Sequence, residues 1–378
     1  MTPRERYLQA LLFGKPDRVP LSPGAPREST LAAWHQQGLP EGAHYYDALL
    51  EVLGIETDDA EPHVSLDVDF KMIPWFEEKV LEHKPGSPGS YVVQDWMGAI
   101  TEISDQYDYT YIRFAKDFVT RKWHKFPVSS RADWVEMRKR YDPTSPGRYP
   151  ADFEARCQAL QARRYPVRLT VNGPFWQLRE WLGLETLCTT MLDDPAWIEE
   201  MIEFWTEFVV ATMRPILERV QVDAVGISED MAYKAHSMIS PRMARRFLLP
   251  TYRRWSDLVR ASGCPIVDMD SDGYIAELIP IWIEGGINVC DPVEVAAGND
   301  IVEYRRTYGR AMAFTGGVDK RAIAKGGREM EAEVLRVVPP LFEEGGFIPG
   351  CDHGVPPDIS WPNYVEYARL LAKLSGWI

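Results

Sequence analysis

Residues 265–294 read PIVDMDSDGYIAELIPIWIEGGINVCDPVE. Two short apolar runs, Pro265–Met269 and Ile287–Cys290, have the length and β-branched content of buried strands, and Tyr274–Glu284 between them has helical period. Each run ends in an acidic loop, Asp270-Ser271-Asp272-Gly273 and Asp291-Pro292-Val293-Glu294. Strand, loop, helix, strand is the repeating unit of a parallel α/β sheet.

The same unit repeats outward. Further strands are predicted at Arg18–Leu21, Val64–Val68, Val167–Val171, Ala224–Ser228, Ala311–Thr315 and Phe347–Gly350, which makes eight in all. Helices are predicted at Pro195–Val220, Pro241–Ser262, Asp300–Tyr308, Arg328–Glu344 and Tyr364–Leu374. In the first of these Ile198, Met201, Ile202, Trp205, Phe208, Val209 and Met213 form one apolar stripe, as a helix packed on a sheet requires. Eight such units predict a (β/α)8 TIM barrel. An open doubly wound sheet would place a Gly-rich phosphate turn after its first strand, whereas here the chain runs into SPGAPREST (residues 22–30). Residues 70–165 are too long for one crossover. Tyr91–Gly98, Ala99–Ser104 and Tyr111–Val119 predict an inserted hairpin or small sheet, followed by a helix at Asp133–Arg140. The expected organisation is one barrel domain over residues 1–378 with this excursion.

The 378 residues carry 42 Lys+Arg against 56 Asp+Glu, a net charge of −14, which excludes a protein that grips nucleic-acid phosphates. Hydrophobic residues make up 45%, enough for a large core and too many for a disordered acidic tail. No stretch approaches the roughly 20 apolar residues of a membrane span, and the N-terminus lacks a signal-peptide pattern, so a cytoplasmic protein is expected. The five cysteines are odd in number and lack a CxxC pair, which argues against a disulfide framework.

In a barrel, chemistry is built where strands meet the following loops. Those junctions carry Asn172, Glu229-Asp230, Asp270 and Asp272, Asp291, Asp319-Lys320, and Cys351-Asp352-His353. Taken singly, Asp272, Asp291 and Asp319 read equally well as helix N-caps. Taken together, so many carboxylates at one mouth call for a metal ion, a cationic ligand, or proton sharing with raised pKa values. Cys351 and His353 are donors that favour zinc over magnesium. Trp34, Trp75, Trp96, Trp176 and Trp181 sit in or beside predicted loops, either wedging the loops together or walling a flat ligand.

These residues resemble a family. RERYLQALLFGKPDRVPL (4–21), VNGPFWQLREWLG (171–183), TYGRAMAFTGGVDK (307–320) and FIPGCDHGVPPDISWPNY (347–364) are similar to the uroporphyrinogen decarboxylase superfamily, which includes zinc-dependent corrinoid methyltransferases. The resemblance is closer to the methyltransferase and O-demethylase branch. The decarboxylase branch carries several cations after its first strand for an octacarboxylate substrate, whereas Pro23–Glu28 here holds one, Arg27. On the methyltransferase branch the resemblance implies a zinc site at Asp270, Asp272 and Cys351, with the two aspartates standing where the family has His and Cys. It implies a homodimer, and methylcobalamin on a separate corrinoid protein, because no D-x-H-x-x-G motif is present.

The resulting expectation is methyl transfer between a small methylated substrate, such as a methyl ether or methylamine, and that corrinoid. Glu229, Asp230 and His353 are the expected catalytic residues. Arg27, Trp96, Asn172, Trp176, Tyr233, Lys234, Asp291 and Asp319 are expected to bind substrate. The alternatives are a decarboxylase or other lyase, and a non-catalytic ligand-binding barrel. Neither a nucleic-acid nor a membrane partner is expected.

Overall fold

A computed structural model describes residues 1–56, 65–113 and 119–378, and the chain divides into two compact units. Among the described residues no helix is long and apolar enough to cross a membrane.

One unit comprises residues 67–153 and 173–216. Its sheet is antiparallel, with β1 (Lys79–Lys84), β2 (Ser90–Gln94), β3 (Ile100–Ser104) and β4 (Lys122–Lys125) in that spatial order. The hairpin between β2 and β3 forms because Asp95 folds its carboxylate back onto the backbone N–H groups of Met97 and Ala99, at 3.0 and 2.9 Å, while Gly98 takes the left-handed conformation the turn needs. The predicted third segment, Tyr111–Val119, begins as a short 3-10 turn at Tyr111–Arg113; residues 114–118 lie outside the described residues. The helix Pro195–Leu217 buries the predicted stripe from Ile198 to Met213. Tyr141 and Trp181 pack edge to face on its Trp205, with Trp181 centred 5.9 Å from Trp205 and, tilted, 4.9 Å from Trp134. Trp181 is therefore core.

The other unit comprises residues 1–66, 154–172 and 217–378. Six parallel strands form its sheet: β5 (Arg168–Asn172), β6 (Ala224–Ser228), β7 (Ile266–Asp270), β8 (Val289–Asp291), β9 (Ala313–Val318) and β10 (Phe347–Cys351), neighbours in sequence order. Alternation along each strand separates two faces. Leu169, Val171, Val225, Ile227, Val267, Met269, Cys290 and Phe314 are buried on one. The opposite face carries Arg168, Thr170, Asn172, Ser228, Asp268, Asp270, Asp291 and Thr315. At the strands' N-terminal ends that second face is closed by the helix Pro3–Leu11, whose Ala10 and Leu11 pack on Ala224, Ile266, Val289, Ala313 and Ile348.

The predicted strands Arg18–Leu21 and Val64–Val68 form no ladder among the described residues, and Val64 lies outside them. The chain after Arg18 nevertheless runs beside β10: Cys351 N–H donates to Pro23 at 3.1 Å and Val355 N–H to Ala25 at 2.9 Å. Pro20, Pro23 and Pro26 have no N–H to give back, so a continuous ladder cannot form. The predicted helix Pro241–Ser262 is two, Pro241–Phe247 and Leu249–Ala261, with Pro250 in the first turn of the second. The predicted Tyr274–Glu284 is helical only over Ile279–Glu284. Asn299 holds the preceding stretch, accepting from Ile275 N–H at 3.1 Å and donating to Gly273 C=O at 2.8 Å. Trp34 is also core, fully buried with its indole N–H on Ile359 C=O at 2.8 Å.

Candidate active site

The polar face of the sheet ends in a cavity of about 310 Å³ whose chemistry-bearing walls are Asp270, Asp272, Asp291, Thr315, Cys351 and His353. Its remaining wall is largely backbone. Gly316 adopts a φ of +80°, and a Cβ there would lie 2.5 Å from the Pro292 carbonyl; one on Gly24 would lie 2.9 Å from Cys351 Cβ. Glycine at both positions lets the loops close to within reach of a small ligand.

Asp270 ends β7. Burial, and then the neighbouring Asp291 and Asp272, push its carboxyl up to about 7, with Ser228 Oγ donating to it at 3.2 Å. It is a carboxylic acid that still holds its proton near neutrality, as a general acid must. Asp291, in register with it on β8, accepts from the Thr315 hydroxyl. His353 Nε2 lies 2.9 Å from Asp272 Oδ2, and Nδ1 lies 3.1 Å from Arg27 Nη2. A guanidinium only donates, so Nδ1 accepts and the ring gives its Nε2 proton to Asp272. The hydrogen bond to Asp272 raises the histidine above its usual value. A second proton on the ring would oppose the Arg27 contact.

Behind the cavity the loops are tied to one another. Asp352, fully buried, accepts from Val295 N–H at 2.8 Å and Lys320 N–H at 3.1 Å. Lys320 Nζ pairs with Glu294 at 2.8 Å, and Glu294 accepts from Gly273 N–H at 3.2 Å. The loops after β7, β8, β9 and β10 thus share one network, which holds the acids in place. Asp352, Glu294 and Lys320 stood at the junctions in the sequence, but nothing there distinguished bracing residues from lining ones. Thr315 was missed because the sequence places it in the strand itself, which runs on to Val318, and only the residues after each strand were taken as candidates.

Of the expected catalytic residues only His353 lines the cavity. Glu229 is fully buried against Tyr252, whose hydroxyl donates to it at 2.5 Å. Asp230, at a φ of +47°, accepts from Asp272 N–H at 3.3 Å and so braces the loop after β7. Among the expected binding residues, Asp291 lines the cavity and Arg27 stands behind His353. Asn172 ends β5 on the polar face, in register with Ser228. Tyr233 and Lys234 are exposed on a loop. Asp319 is the N-cap of Lys320–Lys325, accepting from Arg321 N–H at 2.9 Å and pairing with its guanidinium at 2.8 Å, so the cap reading holds there. Trp96 and Trp176 belong to the other unit, where Trp96 packs on Trp75 at 5.1 Å and Trp176 donates to Glu180 at 2.8 Å.

The expected zinc ligands Asp270, Asp272 and Cys351 all line the cavity, but among the described residues no three His, Cys, Asp or Glu side chains gather closely enough to hold a metal ion. Burial, and then the neighbouring Asp352, push the Cys351 thiol of the metal-free protein up to about 12. The donor set as arranged does not fit zinc, and no step is drawn through it.

No curated protein matches the chain. Among solved structures, a methyltransferase from Methanosarcina mazei is similar in fold, with 14% identity and a TM-score of 0.56 over 100% of this chain and 98% of that one. Residues 124–369, well over half of the sequence, match the family model for uroporphyrinogen decarboxylase (URO-D), and the chain belongs to that family.

Proposed function

We propose that the protein is a methyltransferase that takes a methyl group from an oxygen or nitrogen of a small methylated substrate, with the corrinoid of a separate partner protein as acceptor. The observation that carries this is the cavity wall where Asp270, largely buried, stands beside Asp272 and Asp291, an arrangement that pushes its carboxyl up to about 7. As the bond from the methyl carbon to an ether oxygen breaks, the oxygen takes the electron pair and receives the Asp270 proton, leaving as a hydroxyl; an ammonium donor leaves as the neutral amine and draws no proton from Asp270. Asp291, fixed by Thr315, orients a donor or cationic group of the substrate, and the Asp272–His353–Arg27 chain holds the facing wall. The corrinoid, when present, supplies the methyl acceptor. The acidic mouth disfavours a polyanionic porphyrinogen through like-charge contacts. The methyltransferase similar in fold is compatible with this reading, as is an eight-stranded barrel in which the chain after Arg18 takes the first strand's place.

The runner-up is decarboxylation, favoured by Arg27 on His353, a cation and a proton donor next to each other. One experiment separates them. The protein is incubated with free cob(I)alamin and with anisole or methylamine, and methylcobalamin formation is followed by absorbance. Transfer from at least one donor is expected, and transfer from the ether is expected to fall on the order of a hundredfold in Asp270→Asn. No transfer from any donor, together with carbon dioxide release from a carboxylated porphyrinogen, would overturn the proposal.

A further inference from the structure

The cavity at the mouth has a larger companion of about 640 Å³ that shares Asp291, Thr315 and Ile348 with it and reaches Tyr7, Arg168 and Asp268 deeper along the same face. Together they offer the space of a drug-sized ligand pocket, far more than a one-carbon amine fills. Arg168 on β5 reaches across Gly226 on β6 to Asp268 on β7, Nη2 to Oδ1 at 2.8 Å. The crossing depends on Gly226, where a Cβ would lie 2.7 Å from Nη2 and 3.0 Å from the Asp268 oxygen. Only one of the guanidinium's five N–H groups is used by that pair. Nε has no partner, and 26% of the side chain remains exposed. Tyr7, Tyr45, Tyr46 and Trp377 supply aromatic walls.

We propose that Arg168, with Tyr7, forms an inner subsite that binds the far end of an elongated substrate, and that this end is a neutral hydrogen-bond acceptor such as a carbonyl. The inference rests on the methyl-transfer reading for the group at the mouth. Asp268 and Asp270 are two residues apart on β7, so the inner donors lie about 7 Å below the acids. That is close to the span of a para-substituted benzene ring. A neutral acceptor is specified because Arg168 is already balanced by Asp268, and a ligand carboxylate would add a third negative group beside Asp268 and Asp291.

Calorimetric binding without corrinoid tests this, with 4-methoxybenzamide and anisole as probes. The wild type is expected to bind the amide at least about tenfold more tightly. The double variant Arg168→Met with Asp268→Leu, which leaves no unpaired buried charge, is expected to bring the two affinities within about twofold of each other while still binding anisole. Tyr7→Phe, which leaves the ion pair intact, is expected to lose part of the preference. Equal affinities in the wild type, or a preference that survives the double variant, overturn the inner subsite. A preference that depends on Arg168 in a protein that transfers no methyl group upholds the subsite and overturns the methyl-transfer reading alone.

Discussion

Substituting Asp270 with Asn replaces a buried carboxyl with a group of nearly the same shape that cannot ionise. In the folded protein that carboxyl is raised from its ordinary 3.8 to about 7, first by burial and then by Asp291 and Asp272. The unfolded chain releases the proton near pH 4 while the folded state holds it, so the wild type loses stability as pH rises between those values and no further above them. At about 1.4 kcal/mol per unit the full interval is about 4 kcal/mol, and solvent at the open mouth leaves about half. Asn escapes this loss and still accepts from Ser228. Asp270→Asn is therefore expected to be more stable than the wild type by about 2 kcal/mol at pH 8.5 and by under about 1 kcal/mol at pH 5, with methyl transfer from an ether reduced on the order of a hundredfold. Urea unfolding at the two pH values measures this. A gain equal at both, or a loss at pH 8.5, would refute the claim that burial among acids governs Asp270.

Three further outcomes follow from neighbouring residues. The rate of methyl transfer at limiting substrate should fall above about pH 7, approaching tenfold per unit, as Asp270 loses its proton; a pH–rate profile flat to pH 9 would remove it as the acid. Tyr252→Phe should cost about 1–3 kcal/mol in urea unfolding, because Glu229 loses a hydroxyl donor while remaining buried. Asp319→Ala should cost about 1 kcal/mol by loss of the cap on Lys320–Lys325, with methyl transfer unchanged within about twofold; a large fall in rate would return Asp319 to the binding site.

The six paired strands were legible because each is a short apolar or β-branched run that stops at a polar turn. The first predicted strand, Arg18–Leu21, forms no ladder among the described residues, and the bonds from Cys351 and Val355 reach the next residues, Pro23 and Ala25, in a stretch whose prolines keep it from pairing continuously. Tyr274–Glu284 has helical spacing throughout, but the tertiary bonds from Asn299 hold its first turns open, and those are invisible to periodicity. The acids of the mouth were found by their position after strands. That rule places a residue along the strand without saying which way it faces. Ser228 lies on the polar face of β6, so Glu229, one residue on, turns the other way towards Tyr252. Applied to β7, the same parity puts Asp268 and Asp270 together on the polar face.

Parallel strands covered on both sides are ordinarily apolar on both. Here the helix-facing side keeps that character from Leu169 to Phe314, while the other changes along its length from the plug of Ala10 and Leu11 to the Arg168–Asp268 pair and then to Asp270 and Asp291. The hydrophobic stabilisation of the sheet therefore comes mainly from one face and one end. The polar face contributes little of it, and near neutral pH Asp270 opposes folding through its raised pKa. A surface that lowers stability while the rest of the sheet supplies it is what a site for proton transfer requires, because the depth that makes Asp270 costly to ionise is also what keeps its proton available to a leaving group.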